Sequence, residues 1–172
     1  MIRTARLVMR PARADDVAPM HAVLSHPVAM RYWSTAPHQE VAETEAWIAS
    51  MIGAHARGES ADDCILELDG RVIGKAGFWR DPELGYILHP DVHGRGLMQE
   101  ALSALLDRAF SMRRLPRATA DVDPRNAASR RLLERLGFVQ TGSARATFNV
   151  GGQWCDSVFY ALDAAAWWRR AR

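Results

Sequence analysis

Residues 90–110 read P-D-V-H-G-R-G-L-M-Q-E-A-L-S-A-L-L-D-R-A-F and place two glycines, Gly94 and Gly96, directly before an amphipathic helix. Glycine adopts positive φ and lets main-chain N–H groups approach a ligand without an intervening Cβ. The first N–H groups of a helix have no intrahelical partners and lie at the positive end of its dipole, so they bind anions. The stretch therefore predicts a phosphate- or pyrophosphate-binding turn, with Arg95 adding a cation and the helix beginning near Leu97.

Two glycines before a helix also occur in ordinary strand-to-helix turns, so the motif alone does not decide the function. No third glycine follows as in a dinucleotide-binding β-α-β unit, and there is no Walker loop. The helix itself is well supported, because Met98, Leu102, Leu105 and Ala109 recur at helical spacing. The rest of the chain must therefore decide what the turn binds.

Length and composition favour one compact domain over residues 1–172. The chain has 48% hydrophobic residues, and its 22 basic and 20 acidic residues give a formal net charge of +2, which offers no electrostatic case for nucleic acid. Cys64 and Cys155 lack metal-ligand spacing, so we expect free thiols in a reducing cytosol and no metal. The N-terminus has no leader pattern and no apolar run is long enough to cross a bilayer, which predicts a cytoplasmic protein without a membrane partner.

Hydrophobic periodicity and turn residues predict the element order β-α-α-β-β-β-α-β-α-β-β. Asp15 and Asp16 are expected to cap the first helix, Gly58 to end the second, and the pair Asp69 and Gly70 to form a hairpin turn. This order predicts an α/β fold, a mixed sheet flanked by helices, with the glycine turn at the carboxyl end of a central strand. The first predicted strand lies within residues 4–13 and ends at Pro11, and the first predicted helix, 15–24, is stopped by residues 25–27. The other predicted strands are 64–68, 72–79, 84–88, 118–122, 139–141 with 146–150, and 154–162. The other predicted helices are 40–57, the helix that begins near residue 97, and 126–135.

Five segments in this order resemble the GCN5-related N-acetyltransferase (GNAT) superfamily, and in detail its ribosomal-protein N-terminal acetyltransferase-like branch. The resemblance covers nearly the whole chain and implies that the glycine turn binds the pyrophosphate of an acyl-coenzyme A. It also implies that the pantetheine arm runs between two parallel strands that splay apart, here residues 84–88 and 118–122. The segments are T-A-R-L-V-M-R-P at 4–11, H-P-V-A-M-R-Y-W at 26–33, E-L-G-Y-I-L-H-P at 83–90, H-G-R-G-L-M-Q-E-A-L at 93–102 and N-A-A-S-R-R-L-L-E-R-L-G-F at 126–138.

The resemblance also implies a set of coenzyme-binding residues. Asn126 would hydrogen-bond the pantetheine amide, Ser129 would lie near the sulfur, and a main-chain N–H near Leu88 or His89 would polarise the thioester carbonyl. One departure is Asp91, where the superfamily usually carries Gln or Arg. The predicted coenzyme-binding residues are Leu88, His89, His93, Gly94, Arg95, Gly96, Leu97, Met98, Asn126 and Ser129.

Acyl transfer to an amine requires a neutral nucleophile, a polarised carbonyl and a proton for the leaving thiolate. Glu83 is a candidate base acting through water, although a solvated turn residue is the simpler interpretation. Tyr86 is a second acid–base candidate, with a core aromatic as the alternative. Many superfamily members carry a catalytic tyrosine where this chain has Leu132 or Leu133, so Ser129 is the candidate for the thiolate step.

The sequence thus predicts an acetyl-CoA-dependent N-acetyltransferase that acts by direct transfer in a ternary complex. The acceptor is a primary amine, namely a protein N-terminus, an amino acid or a small amine, with Trp33, Trp79 and Trp154 as candidates for its cleft. Two alternatives remain, transfer of a larger acyl group such as succinyl and a non-catalytic acyl-CoA-binding regulatory module. Exposed strand edges near the C-terminus would also permit a homodimer.

Overall fold

The computed structural model describes residues 1–59 and 62–170. Within these ranges the chain forms an eight-stranded mixed sheet in the order β1-β2-β3-β4-β5-β6-β8-β7, with helices packed on it. This architecture confirms the predicted mixed α/β fold. The strands are β1 (Ile2–Arg3), β2 (Leu7–Arg10), β3 (Asp63–Leu68), β4 (Arg71–Arg80), β5 (Glu83–Leu88), β6 (Arg117–Val122), β7 (Val139–Val150) and β8 (Gln153–Asp163).

The helices cover the two faces of the sheet because successive strand residues point to opposite sides. Leu66 and Phe78 belong to one apolar core with α4 and α5, whereas Ile65 and Ile87 belong to a second core with α1 to α3. Two single turns of 3₁₀ helix, Ala14–Asp16 and Pro90–Val92, complete the structure. The helices are α1 (Val17–Leu24), α2 (Pro27–Met30), α3 (Val41–Ala56), α4 (Leu97–Ser111), α5 (Ala127–Leu136) and α6 (Ala164–Arg170).

The predicted turn signals at the helix and strand ends are confirmed. Asp69 and Gly70 join β3 to β4 with φ of 51° and 76°, the positive values that a two-residue hairpin turn requires. Gly58 follows α3 with φ of 73°, and Gly137 ends α5 in the left-handed conformation. Asn126 caps α5, since its Oδ1 accepts a hydrogen bond from the Ser129 N–H at 3.1 Å.

The N-terminal prediction was too long and gave Asp16 the wrong role. The strand occupies only Leu7–Arg10, and a two-residue strand, Ile2–Arg3, precedes it. The Asp16 side chain makes no capping hydrogen bond to α1. It instead forms a buried ion pair with Arg10, at 2.6 Å from Nη2 to Oδ1, because a buried guanidinium needs a carboxylate partner.

Three further elements differ from the sequence prediction. Pro27 begins the short helix α2 instead of only stopping α1, because proline is well suited to the first helical turn. Strand β7 is continuous, with register shifts that absorb the expected break between its two pieces. The helix α6 was not predicted, and Trp167 fixes it by donating from Nε1 to Asp107 Oδ1 at 2.8 Å.

The pairing of β5 with β6 creates the opening in the sheet. These strands form the parallel pair of the sheet, and their register joins only Glu83 to Thr119, supported by the Thr119 N–H donating to the Pro82 carbonyl at 2.8 Å. Beyond this point β6 continues to pair with β8, and β5 continues to pair with β4. The two strands therefore separate toward their carboxyl ends, which confirms the predicted splayed pair.

No helix within residues 1–59 and 62–170 combines the length and apolar character needed to cross a bilayer.

Candidate active site

A cleft of about 660 Å³ occupies the opening between β5 and β6 and extends to the amino ends of α4 and α5. Most of the residues predicted from the sequence line it. Three predicted residues, Glu83, His89 and Arg95, are not among the lining residues. The predicted residues that line the cleft are Tyr86, Leu88, His93, Gly94, Gly96, Leu97, Met98, Asn126 and Ser129.

The glycine turn has the backbone geometry that an anion site requires. Gly94 and Gly96 have φ of 73° and 74°, which side-chain-bearing residues rarely adopt. A Cβ placed on Gly94 would meet no atom within 4 Å, so this part of the turn opens to the cleft. Leu97 is buried and begins α4 directly after the turn, which aims the free N–H groups of the first helical turn at the cleft.

An arginine clamp that the sequence did not reveal holds this turn in place. Arg6 Nε lies 2.7 Å from Glu100 Oε2, and the Arg6 main-chain N–H donates to Glu100 Oε1 at 2.8 Å. Arg6 Nη1 also donates to the Arg95 carbonyl at 2.9 Å. Burial opposes ionisation of Glu100, but hydrogen bonds from Thr4 and Arg6 hold its pKa below the usual range. The sequence did contain one sign of this clamp, namely Glu100 in the first turn of a helix predicted to bind an anion. A carboxylate at that position needs a cation beside it.

We expect Arg6→Ala to raise the Kd for acetyl-CoA by about threefold to tenfold, because the turn loses its clamp while its N–H groups remain. Arg3→Ala removes an exposed arginine from the neighbouring strand β1 and should leave the Kd unchanged. Calorimetric titration of both variants measures the difference. Equal Kd values for the two variants would show that the clamp does not position the turn.

Asp91 and His89 both lie outside the cleft. The Asp91 carboxylate lies 3.8 Å from Arg71 Nη2 and 3.4 Å from His89 Nδ1. The His89 ring also packs edge-to-face on His26, with the ring centroids 5.4 Å apart. Because the Asp91 carboxylate turns toward Arg71 and His89 and away from the cleft, it does not place a negative charge in the predicted phosphate position.

The end of β5 presents one main-chain N–H to the cleft. The His89 N–H donates to the Ile73 carbonyl of β4 at 2.8 Å, so it is occupied within the sheet. Successive N–H groups of a strand point to alternate sides, and the Leu88 N–H therefore points toward β6. The Leu88 carbonyl on the same side is 3.0 Å from His93 Nε2, which fixes both the ring and the strand end.

Tyr86 and Ser129 meet at the cleft floor, with Tyr86 Oη 2.6 Å from Ser129 Oγ. Desolvation raises the pKa of Tyr86 to about 12, although the hydrogen bond to Ser129 acts in the opposite direction. The Asn126 cap fixes the first turn of α5 and so the position of Ser129. The two hydroxyl groups therefore form a protonated donor pair that crosses from β5 to α5.

Asp121, which sequence analysis missed, is a carboxylate residue that lines the cleft. Desolvation raises its pKa, a hydrogen bond from Ser157 lowers it, and the nearby Glu83 carboxylate raises it further. Glu83 itself is paired with Arg80, at 3.0 Å from Nη2 to Oε2. The sequence could have indicated Asp121, because it is an acidic residue in the predicted strand 118–122, which was already expected to flank the coenzyme.

A second cavity of about 460 Å³ adjoins the first, since Tyr32, Trp33 and Asp123 line both. Of the tryptophans predicted for the acceptor cleft, Trp33 lines both cavities. Trp79 and Trp154 line neither and are largely exposed. The remaining walls of the second cavity are Arg31, Arg125, Val150, Gln153 and Cys155.

Cys155 is a buried free thiol, and Arg125 Nη2 contacts its Sγ at 3.4 Å. In the described part of the chain, no three histidine, cysteine, aspartate or glutamate side chains come together in an arrangement suited to a metal ion.

Comparison with known proteins agrees with this geometry. The acetyltransferase (GNAT) domain family matches residues 6–139. The Probable N-acetyltransferase YjcK of Bacillus subtilis (strain 168) is 39% identical over 101 residues, which cover 55% of this chain and 56% of that protein. The [Ribosomal protein uS5]-alanine N-acetyltransferase of Escherichia coli (strain K12) is 38% identical over 84 residues, covering 49% of this chain and 43% of that protein. This chain therefore spans about half the length of these two relatives.

A solved structure of RimL, a ribosomal L7/L12 alpha-N-protein acetyltransferase in complex with coenzyme A, shares the fold. Its TM-score is 0.82 at 22% identity, over 93% of this chain and 95% of that one.

Proposed function

This chain belongs to the acetyltransferase (GNAT) domain family and is an acyltransferase, and from that premise we propose that it acetylates a primary amine by direct transfer from acetyl-CoA. Residues 1–172 act as one domain in this proposal. The observation that carries it is the hydrogen bond between Tyr86 and Ser129, which sets a protonated donor pair in the cleft that begins at the glycine turn. Binding and chemistry thus share one continuous opening.

In this proposal the coenzyme enters along the length of the cleft. The pyrophosphate accepts hydrogen bonds from N–H groups at Gly94, Gly96 and the first turn of α4, where the helix dipole favours negative charge. Arg131, which lines the same cleft, adds positive charge. Asn126 uses its Oδ1 for the cap of α5, so its side-chain N–H₂ remains to donate to a pantetheine carbonyl.

The acetyl carbonyl oxygen accepts the Leu88 N–H, which the splayed strands leave directed into the cleft. This donor stabilises the oxyanion that forms as the amine attacks. The alternative donor predicted from the sequence, the His89 N–H, is less suitable because it already bonds to the Ile73 carbonyl.

The attacking amine must lose a proton, and Asp121 accepts it, directly or through water. Its raised pKa suits a base that collects a proton from an amine and returns it to solvent. Glu83, the base predicted from the sequence, acts here through Asp121, since its negative charge raises the pKa of the Asp121 carboxyl group.

The pH dependence of kcat/KM tests which carboxylate is the base. Activity should rise with pH as Asp121 loses its proton, because only the carboxylate accepts the amine proton. Glu83→Gln removes a like charge and lowers the pKa of Asp121. The rise of kcat/KM with pH should therefore occur at lower pH, and the maximal value of kcat/KM should not change. Asp121→Asn should lower kcat/KM by about tenfold to hundredfold and remove this rise with pH. If Glu83→Gln instead abolishes activity while Asp121→Asn retains it, Glu83 is the base.

The departing thiolate of coenzyme A takes a proton from the Ser129 hydroxyl, and Tyr86 restores that proton through the 2.6 Å hydrogen bond. The C–S bond of the thioester breaks as the C–N bond of the amide forms. The proton removed from the amine leaves through Asp121 to solvent, and Tyr86 takes one proton back from solvent, so the number of protons balances over one turnover.

The deciding experiment combines titration with turnover. Calorimetry with acetyl-CoA, succinyl-CoA and free coenzyme A measures binding, and thiol release over an amine panel measures transfer. We expect saturable binding that favours acetyl-CoA, with thiol release that depends on the amine. Preference for succinyl-CoA would indicate a larger acyl group, and binding without any turnover would indicate a regulatory module. No binding of any of the three would refute the coenzyme site.

A further inference from the structure

The second cavity contains two arginines that face one aromatic ring. The guanidinium carbon of Arg31 lies 5.3 Å from the centroid of the Tyr32 ring, and that of Arg125 lies 5.9 Å from the same centroid. Both arginines line the cavity together with Tyr32 itself. The ring thus serves as a platform for two positive charges at the entrance beside the coenzyme cleft.

One of these charges is already compensated. Arg125 donates from Nε and Nη2 to the buried carboxylate of Asp123, with distances from 2.6 to 3.2 Å, and this leaves its Nη1 without an acceptor among the described residues. Arg31 is exposed and forms no ion pair with any carboxylate of residues 1–59 and 62–170. The cavity therefore carries one net positive charge from the three ionised side chains, two arginines and one aspartate.

The adjoining cleft holds the carboxylate of Asp121 on β6, while the arginines that line it, Arg131 and Arg135, belong to α5. An acceptor at the junction of the two cavities, where Tyr32, Trp33 and Asp123 line both, thus has a carboxylate on the side of the cleft and guanidinium groups on the side of the second cavity. A polyamine would place a second cation against Arg31 and Arg125. A small molecule that carries an amine and a carboxylate close together matches both charges.

We propose that the acceptor is a free amino acid, whose carboxylate is bound by Arg31 and Arg125 while its amine faces Asp121. This inference rests on the proposed function. A peptide N-terminus presents an uncharged amide where a free amino acid has its carboxylate, so it cannot form the same ion pair. Apolar wall residues of the second cavity, Trp33, Val150 and Cys155, can contact the amino acid side chain.

The test compares L-methionine and L-phenylalanine with their primary amides, and with spermidine, in the thiol-release assay. We expect kcat/KM to be at least about tenfold higher for each acid than for its amide, and spermidine to be the poorest acceptor. The amide has the lower amine pKa and therefore more of the reactive neutral form. Preference for the acid must then come from binding of the carboxylate. Equal or faster reaction of the amides, or preference for spermidine, would overturn the inference.

Arg31→Gln provides the matched variant, because it removes the uncompensated charge without exposing the Arg125–Asp123 pair. It should raise KM for the acids about tenfold with little change in kcat, and leave the amides unaffected. Arg114→Gln removes an exposed arginine just beyond the opposite end of α4 and should change neither. An equal effect of Arg31→Gln on acids and amides would overturn the proposed carboxylate contact.

Calorimetry on the coenzyme A-loaded full chain separates this inference from the proposed function. Loss of acetyl-CoA binding would refute the coenzyme site and the proposed transfer. If coenzyme A binds but neither L-methionine nor L-phenylalanine binds the loaded protein or is turned over, the amino acid inference alone is overturned. Binding of the acids with an affinity that falls in Arg31→Gln supports it.

Discussion

Gly94→Val will abolish acetyl-CoA binding while the protein remains folded. The residue has φ of 73°, and the side of the turn that would receive a Cβ is open, with no atom within 4 Å. The Cβ of a valine there meets no protein atom, but its branched side chain would project into the proposed space of the phosphates and its backbone resists the left-handed conformation. Both effects move the N–H groups away from the anion. We expect the Kd to rise by more than about 1,000-fold, beyond calorimetric detection.

A matched control separates loss of the site from backbone strain. Gly58 has the same φ of 73° and equally open surroundings, but it follows α3 outside the cleft. Gly58→Val and Gly94→Val should each lower the free energy of unfolding by about 1 to 2 kcal/mol. Only Gly94→Val should lose acetyl-CoA. Retained binding by Gly94→Val, or equal loss in both variants, would rule out the turn as the coenzyme site.

The fold was predictable from the sequence because its main signals are local. The hairpin at Asp69 and Gly70, the cap at Asn126 and the glycine turn each depend on backbone conformations that few residues adopt. Where local signals were ambiguous the prediction failed. Pro27 fits both the end of one helix and the first turn of the next, and only the tertiary structure shows that a helix follows.

The candidate site was predictable only where one segment carries it. The residues at the glycine turn and at the start of α5 are close in sequence and were found together. Arg6 lies 94 positions from Glu100, so no local pattern links the two side chains of the clamp. Asp121 was missed because an exposed aspartate in a strand has no local signal for the cleft that opens beside it when the neighbouring strand diverges. Arg31 and Arg125 are likewise far apart in sequence, and only the folded chain brings both guanidinium groups to the Tyr32 ring.

The hydrogen bond between Tyr86 and Ser129 leads us to expect that loss of either hydroxyl group lowers kcat. In many superfamily members a tyrosine on the helix that corresponds to α5 is the proton donor to the thiolate. This chain has Leu132 and Leu133 at that place. In the proposed mechanism, Tyr86 on β5 reaches Ser129 and supplies a donor from the other side of the cleft. Because its pKa is raised to about 12, Tyr86 keeps its proton at neutral pH and can pass it to Ser129.

Ser129→Ala should lower kcat by about 100- to 1,000-fold and change the Kd for acetyl-CoA little, because the hydroxyl acts on the leaving thiolate. Tyr86→Phe should lower kcat by a smaller factor, since Ser129 can still donate once but recovers its proton only from water. The double variant should be no slower than Ser129→Ala, because two groups that pass on one proton act as a unit. Steady-state and single-turnover rates of the three variants measure this coupling.

Tyr160→Phe is the control for removal of a buried tyrosine hydroxyl. Tyr160 Oη bonds to Arg130 Nε at 3.1 Å and to Glu134 Oε1 at 3.0 Å, and the residue does not line the cleft. Loss of the Tyr160 hydroxyl should lower stability but not kcat.

If the effects of Tyr86→Phe and Ser129→Ala multiply in the double variant, the two hydroxyls act independently. A kcat that neither variant changes would mean that the thiolate leaves without a proton from the protein, and that Tyr86 serves the core alone.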